Sequence, residues 1–437
     1  MTRYADWLLD ATHGRLHCGR PEGIARGDVS TDTRLLRAGD VFLALPGEHV
    51  DGGRYVREAI ARGADCVIAG REHIGEAAAA PIAIEVDDPH AALRSIARAW
   101  RAELTAEAIG ITGAAGKTTT TDLAAAILGR ARATHATRHG FNTDQGVAAT
   151  IAAAPEATET LIVEMGMRWP GDIARMAGLL RPTAGVITNI GPEHLDTAGT
   201  VADVARNKAE LIEALPADAV CLVPADEPLL APFLRSDLHT ITHGRGGDIS
   251  PRRFADGVLE IDCAGEIVEV RPGFDQPHNL DNLVTAVGLA WALGVRPEAE
   301  PDFRFSPLRW QREQIGPVEL VVDCAKTSPL ALGRALESFV AEPASGRRIA
   351  VLAGLPDLGV DAAHYHEAAG AHAERLGIDL LIAVGDSARE YLTGYRGAHY
   401  AVATPAEARK VIASVGRAGD RALVKGPRRA ALQRILD

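Results

Sequence analysis

The sequence predicts an α/β protein of three successive domains: a small α/β N-terminal domain, a central domain on a mostly parallel sheet, and a doubly wound, Rossmann-like C-terminal domain. Three observations carry the prediction. Short apolar runs alternate with helical patterns along most of the chain. The 437 residues exceed an ordinary domain of roughly 100–200. Periodicity lapses around residues 298–309, where proline and charge replace it. The composition agrees, because 47% hydrophobic and 24% charged residues can fill several cores, and 4% aromatics with abundant Ala and Gly favour helices packed closely on sheets.

Between residues 29 and 70, the runs VFLAL and DCVIA flank the helical pattern RYVREAIARG, with turns at Leu45-Pro46-Gly47-Glu48 and Asp51-Gly52-Gly53. From Asp88 to Glu107, Leu93, Ile96, Ala97 and Trp100 recur at helical spacing, and the apolar strand Ala108-Ile-Gly-Ile-Thr112 follows directly. The first boundary therefore belongs near residue 100. TLIVEMG before GDIARMAGLL, and TAGVITNIG before VADVARNKAELIEAL, repeat the strand-then-helix rhythm, and AVCLVPAD supplies another strand. Such alternation builds a parallel sheet covered on both faces. The aperiodic stretch reads as a linker, which divides the chain into 1–100, 101–305 and 306–437. VELVVDCA, RRIAVLAG, LLIAVGD and RALVKG are four strands for the last domain.

The formal charge of −12 argues against nonspecific binding to nucleic acid, which attracts surplus Lys and Arg. Five dispersed cysteines without a CxxC pair indicate neither a disulfide framework nor a zinc site, so a reducing compartment is expected. The segment MTRYADWLLDATHGRL lacks a basic flank before an apolar core, and no run approaches the ~20 apolar residues of a membrane span. A cytoplasmic location is the expectation.

A strand ending at Thr112, a turn containing Gly113 and Gly116, and a helix opening at Lys117 form a strand-loop-helix phosphate cradle of the short GxxGKT form. The glycines let backbone N–H groups face phosphate oxygens, Lys117 supplies a point charge, and the Thr118 hydroxyl can ligate Mg²⁺. This makes the central domain a P-loop ATPase domain. The plain alternative is a glycine helix start followed by a solvated lysine.

Glu164 ends an apolar strand, where parallel sheets present their ligands, and is the natural Mg²⁺ partner of Thr118. Its competing role is to cap the helix that begins near Gly171. His194 follows the next strand and offers a second metal or phosphate contact, although a loop histidine is more often a surface or packing residue. Lys208 lies in a helix, where the residues alone read it as solvated and paired with Glu210 or with the turn at Asp203.

These segments together resemble the Mur ligases, ATP-dependent enzymes that extend UDP-N-acetylmuramic acid with amino acids or dipeptides. The resemblance covers nearly the whole chain: Ser30-Thr31-Asp32-Thr33-Arg34 with AGDVFLAL and Asp51-Gly52, then TGAAGKTTT, FNTDQGV, EMG, TNIGPEHL, the lysine helix and HNLDN in family order. It implies that a substrate carboxylate attacks the γ-phosphate of ATP and that an amine displaces phosphate from the resulting acyl phosphate. It implies catalytic roles for Lys117, His194 and Lys208, and one or two Mg²⁺ ions held by Thr118, Glu164, His194 and a carbamylated Lys208. Gly113, Gly116, Thr119, Asn279, Asn282, Arg312 and Asp323 fall on the nucleotide side. Ser30, Thr31, Asp32 and Arg34 match the uridine-nucleotide site, Asn142, Thr143 and Gln145 the acyl-substrate stretch, and Lys425 a further substrate contact. The implied partners are small molecules, a UDP-muramoyl peptide and an amine or dipeptide, handled by a monomer.

The C-terminal stretches LAGLPDLG (352–359), His366 with Gly370, Gly377-Ile378-Asp379, Val384-Gly385 and LVKGPR (423–428) resemble the D-Ala-D-Ala-adding branch, and no DNPR sequence of the diaminopimelate-adding branch is present. Departures cluster here. Asp323-Cys-Ala-Lys-Thr-Ser-Pro329 matches neither DDxYNANP nor DYAHTP, Lys326 replaces an aromatic, His or Asn, Gly354 replaces an aspartate, and Asp357 stands for a displaced acid. The alternatives are a relative that joins a different acid and amine, and a catalytically silent nucleotide-binding relative.

Overall fold

The computed structural model describes residues 3–25, 27–47, 50–138, 140–297 and 303–437. Glu48 of the expected turn and residues 298–302 of the expected linker lie outside the described residues. Three larger sheets follow one another along the chain. The first has five strands, in the order Arg15–Cys18, Ile82–Val86, Cys66–Gly70, Val41–Leu43 and Val29–Ser30, all parallel except the first.

Helix Pro89–Glu103 starts where the Asp88 carboxylate accepts the N–H groups of His90 and Ala91 and Pro89 takes the first turn. Its apolar face is the predicted one, with Leu93, Ile96, Ala97 and Trp100 buried. This face also joins the helix to the central domain. The Trp100 indole donates to the Ala154 carbonyl at 2.9 Å, and the buried Arg101 guanidinium donates to the Leu180 carbonyl at 2.6 Å.

The central sheet has nine strands, and its parallel part runs Thr134–Ala136, Thr160–Glu164, Glu107–Thr112, Ala184–Ile187, Val220–Pro224, His239–His243, Ile249–Ala255. Val258–Cys263 and Glu266–Val270 extend it antiparallel. The register fixes the functional edge. Glu107–Thr112 lies between two parallel neighbours, with Ile111 opposite Glu164 and Thr112 opposite Ile187. The loops after these three strands therefore emerge side by side at one carboxyl edge, the place where open α/β sheets bind ligands.

The C-terminal sheet runs Gln311–Ile315, Val318–Asp323, Arg421–Lys425, Arg348–Ala353, Leu380–Val384, Ala398–Val402, with only the first strand antiparallel. Its four inner strands are those the sequence predicts. The two edge strands escape a hydrophobic reading because Ile315 is their sole buried residue. No helix among the described residues is long and apolar enough to cross a membrane.

Candidate active site

The phosphate loop is shaped by contacts that admit no side chain at its glycines. Gly113 and Gly116 have φ of +147° and +80°, and an added Cβ would fall 1.9 Å from Thr188 Oγ1 and 2.2 Å from Asn282 Oδ1, respectively. The following strand's loop grips the turn: the Ala115 N–H donates to Asn189 Oδ1 (2.8 Å), and Thr188 Oγ1 donates to the Ala115 carbonyl (2.6 Å). Helix Lys117–Leu128 then begins at Gly116 with no side-chain cap, so its first N–H groups face the cavity as an anion site.

Behind this loop lies a buried cluster of alternating charge. The Lys117 ammonium donates to the Gly113 carbonyl and stands 3.7 Å from a carboxylate oxygen of Glu193. The other Glu193 oxygen accepts from Lys208, which is fully buried. The solvated reading of Lys208 is therefore overturned, because its helix turns this position inward. Asp203 instead closes a capping box with Thr200, and Glu210 accepts the N–H groups of Gly171 and Ala174. Glu210 thus does the capping that was one alternative for Glu164.

Glu164 is buried and accepts from Asn142 Nδ2 at 2.5 Å. Burial alone would raise its pKa, but the Lys326 and Lys117 charges and a Thr118 hydrogen bond hold it below the usual glutamate value. Burial likewise works against Glu193, and Lys117 and then Lys208 lower it. Both carboxylates stay ionised. Burial pushes Lys208 down to about 8, against the pull of Glu193. His194 has φ +49°, burial lowers its pKa, and its Nδ1 lies 3.2 Å from Asp357 of the C-terminal domain without the alignment of a hydrogen bond.

Two cavities meet at this cluster. One, of about 430 Å³, is lined by the phosphate loop through Thr119, by Glu164, Asn279, Asn282, Arg309, Asp323 and Lys425, and by the loop carrying Asp357. The other, of about 530 Å³, is lined by Thr143, Gln145, Arg168 and Arg175 among others. Lys117, Asn142, Glu193, His194 and Lys326 line both and form the wall between them. The larger set holds seven Lys and Arg against four Asp and Glu, a local excess of positive charge inside an acidic chain.

Asn279 and Asn282 reach the first cavity one turn apart on helix Pro277–Ala292. Asp323 and Lys425 reach it as an ion pair. The structure does not bring Arg312 there. On its exposed edge strand it binds Glu319 and, at 2.5 Å, Glu342, whereas Arg309 lines the cavity. Ser30, Thr31 and Asp32 line a separate small cleft with Arg37, His135 and Arg138, while Arg34 points outward and pairs with Asp32. Sequence reasoning quoted TNIGPEHL but singled out only its histidine, so the loop-gripping Thr188 and Asn189 and the central acid Glu193 were missed.

The oxygen donors Thr118 and Glu164 suit Mg²⁺ shared with phosphate, which takes one or two carboxylates and completes its shell from substrate and water. Among the described residues no group of three His, Cys, Asp or Glu forms a metal cage. The arrangement can hold a nucleoside triphosphate with its terminal phosphate at a charge-lined wall and a second anionic substrate beyond it.

Such a site on such a fold defines an ATP-dependent ligase, and the chain belongs to the Mur ligase family. The Mur ligase family catalytic domain matches residues 28–101, the Mur ligase middle domain 111–290, and the Mur ligase glutamate ligase domain 308–428. The chain is 33% identical to the UDP-N-acetylmuramoyl-tripeptide--D-alanyl-D-alanine ligase of Synechocystis, over 82% of its own length and 79% of the relative's. With the Escherichia coli enzyme of the same name it shares 26% identity over 98% and 96%. The crystal structure of MurF from Acinetobacter baumannii superposes with a TM-score of 0.85 at 25% identity, covering 100% of this chain and 99% of that one. MurF from Thermotoga maritima in complex with ADP gives 0.78 at 25%, over 94% and 96%.

Proposed function

We propose that the protein joins D-alanyl-D-alanine to a UDP-N-acetylmuramoyl tripeptide in peptidoglycan synthesis, cleaving ATP to ADP and phosphate through an acyl phosphate. The observation that carries this reading is the wall shared by the two cavities. A triphosphate in the first cavity and a carboxylate in the second would meet at Lys117 and Asn142. The names of the relatives supply the substrates.

In this reading Gly113, Gly116, Thr118 and Thr119 cradle phosphate, and Lys117 neutralises charge on the transferred group. Asn279, Asn282 and Asp323 hold the rest of the nucleotide, and Asn142, Thr143 and Gln145 orient the acyl substrate. One or two Mg²⁺ ions belong to it, the first held by Thr118 and Glu164, the second by His194 and a carbamylated Lys208. Bound there, the metal supplies Lewis-acid stabilisation of phosphate charge. The lowered pKa of Lys208 supports carbamylation, which requires the neutral amine. Residues 1–100 would receive the uridine nucleotide at Ser30, Thr31 and Asp32, and residues 306–437 the dipeptide, in a monomer working in the cytoplasm.

One observation favours a second reading, the same chemistry with another amine. A Cβ at Gly354 would fall 2.0 Å from Ser387 Oγ, so the aspartate of the family motif has no room there unless Ser387 moves. Phosphate release measured across acid and amine pairs decides between them. Release that requires both the UDP-muramoyl tripeptide and D-Ala-D-Ala supports the first reading, and release with a different amine alone supports the second.

A further inference from the structure

We propose that Lys326 is a catalytic cation that the C-terminal domain contributes to the transferring phosphoryl group. The proposal rests on the ATP-dependent phosphoryl transfer described above and adds a residue to it. Of the five side chains that line both cavities, four come from the central domain, and Lys326 alone follows the strand Val318–Asp323 of the C-terminal sheet.

Its backbone is held from two sides. The Lys425 ammonium donates to the Lys326 carbonyl at 2.9 Å, and two residues on, the Ser328 hydroxyl accepts the Ala331 N–H and caps helix Pro329–Ala341. Its side chain is the unspent one. Lys117 and Lys208 both engage Glu193, whereas among the described residues the Lys326 ammonium has neither a hydrogen bond nor an ion pair and is exposed to the cavities. Lys117, Glu164 and Glu193 are the charges nearest in effect. The two carboxylates already have other partners, so three ammonium donors are left for an incoming anion at the wall.

That anion is the γ-phosphoryl group. In the step, a carboxylate oxygen forms a bond to the γ-phosphorus, the bond from that phosphorus to the bridging oxygen breaks, and the electron pair leaves on ADP without proton transfer. Charge spreads over the equatorial oxygens as this happens, and a lysine supplied by a separate domain compensates it as an arginine finger does, with a point charge.

The test compares the full-length chain with Lys326→Met and Lys326→Arg. By calorimetry, Lys326→Met is expected to bind ADP within about 2-fold of wild type but a non-hydrolysable ATP analogue at least about 10-fold more weakly, since only the latter has the third phosphate. Its kcat should fall roughly 100-fold while its KM for ATP rises about as much as the analogue affinity falls, and Lys326→Arg should recover part of both losses. Equal analogue binding in Lys326→Met and wild type overturns the proposal, as does a parallel loss of ADP affinity and thermal midpoint, which would mark a structural role. The binding comparison needs no acid or amine. If wild type fails to use D-Ala-D-Ala, the proposed substrate falls while the role of Lys326 is still decided.

Discussion

The carboxylate of Asp323 and the ammonium of Lys425 meet at 2.7 Å, and the two residues are register partners at the carboxyl ends of neighbouring parallel strands. Both side chains are buried. The pair pins the strand ends beneath the cavity and, through the Lys326 carbonyl, sets the turn that carries Lys326.

Lys425→Met is expected to strand the Asp323 charge and destabilise the C-terminal domain by about 3–5 kcal/mol, as breaking a buried pair usually does. The double variant Asp323→Asn with Lys425→Met should recover most of that stability. Urea unfolding of the four proteins of this cycle measures the coupling, and additive losses would show that the pair contributes nothing.

Lys117→Ala should lower ATP-dependent phosphate release by about 10²–10³-fold, the scale of losing one preorganised donor at developing charge. The fold should survive, because Glu193 retains its bond to Lys208. Steady-state phosphate release with a thermal melt checks both halves, and unchanged turnover would remove Lys117 from the chemistry.

His243 provides an acid-stability prediction independent of substrate. Its Nε2–H donates to the Ile187 carbonyl at 3.0 Å, and its Nδ1 lies 3.0 Å from Thr285 Oγ1, whose hydroxyl also reaches the Asp281 carbonyl at 3.2 Å. Burial lowers its pKa from 6.5 to about 4. Between these values the unfolded chain binds a proton that the folded chain refuses, so stability falls as pH drops from 6.5 toward 4, by about 3 kcal/mol in total. His243→Gln should flatten this part of the pH–stability curve. An unchanged slope would assign the acid sensitivity to other groups.

The phosphate loop was legible because its chemistry is local: glycine φ values, a strand before and a helix after are all written within a few residues. The inner strands of the parallel sheets were legible for a similar reason, since burial on both faces forces continuous apolar runs. Glu193 was not legible from its neighbours, because its role arises where its loop, the phosphate loop and helix Val201–Glu213 meet. Lys208 carried a signal that the solvated reading passed over: Val204, Ala205, Leu211 and Ile212, three and four residues to either side, mark its side of the helix as the apolar one. The polar edge strand Gln311–Ile315 hid for the opposite reason, because an exposed strand has no hydrophobic period.

Lys208 allows the sharpest separation of chemistry from structure. As an ammonium it is the buried counter-ion of Glu193, whereas as a carbamate it would be an oxygen ligand. Lys208→Ala should lose at least about 100-fold in turnover, and short carboxylic acids should restore part of it if a carbamate oxygen is what is missing. Absence of rescue would leave Lys208 as the counter-ion alone. Its stability effect has a defined sign. The folded value is lowered from 10.5 to about 8, so between these pH values the unfolded chain carries a proton that the folded chain has released, and stability rises with pH. In CO₂-free buffer, wild type should therefore gain stability relative to Lys208→Met from pH about 8 to about 10.5. A difference that stays flat across that window would mean that Lys208 keeps its ordinary basicity, and the case for a readily carbamylated amine would fail with it.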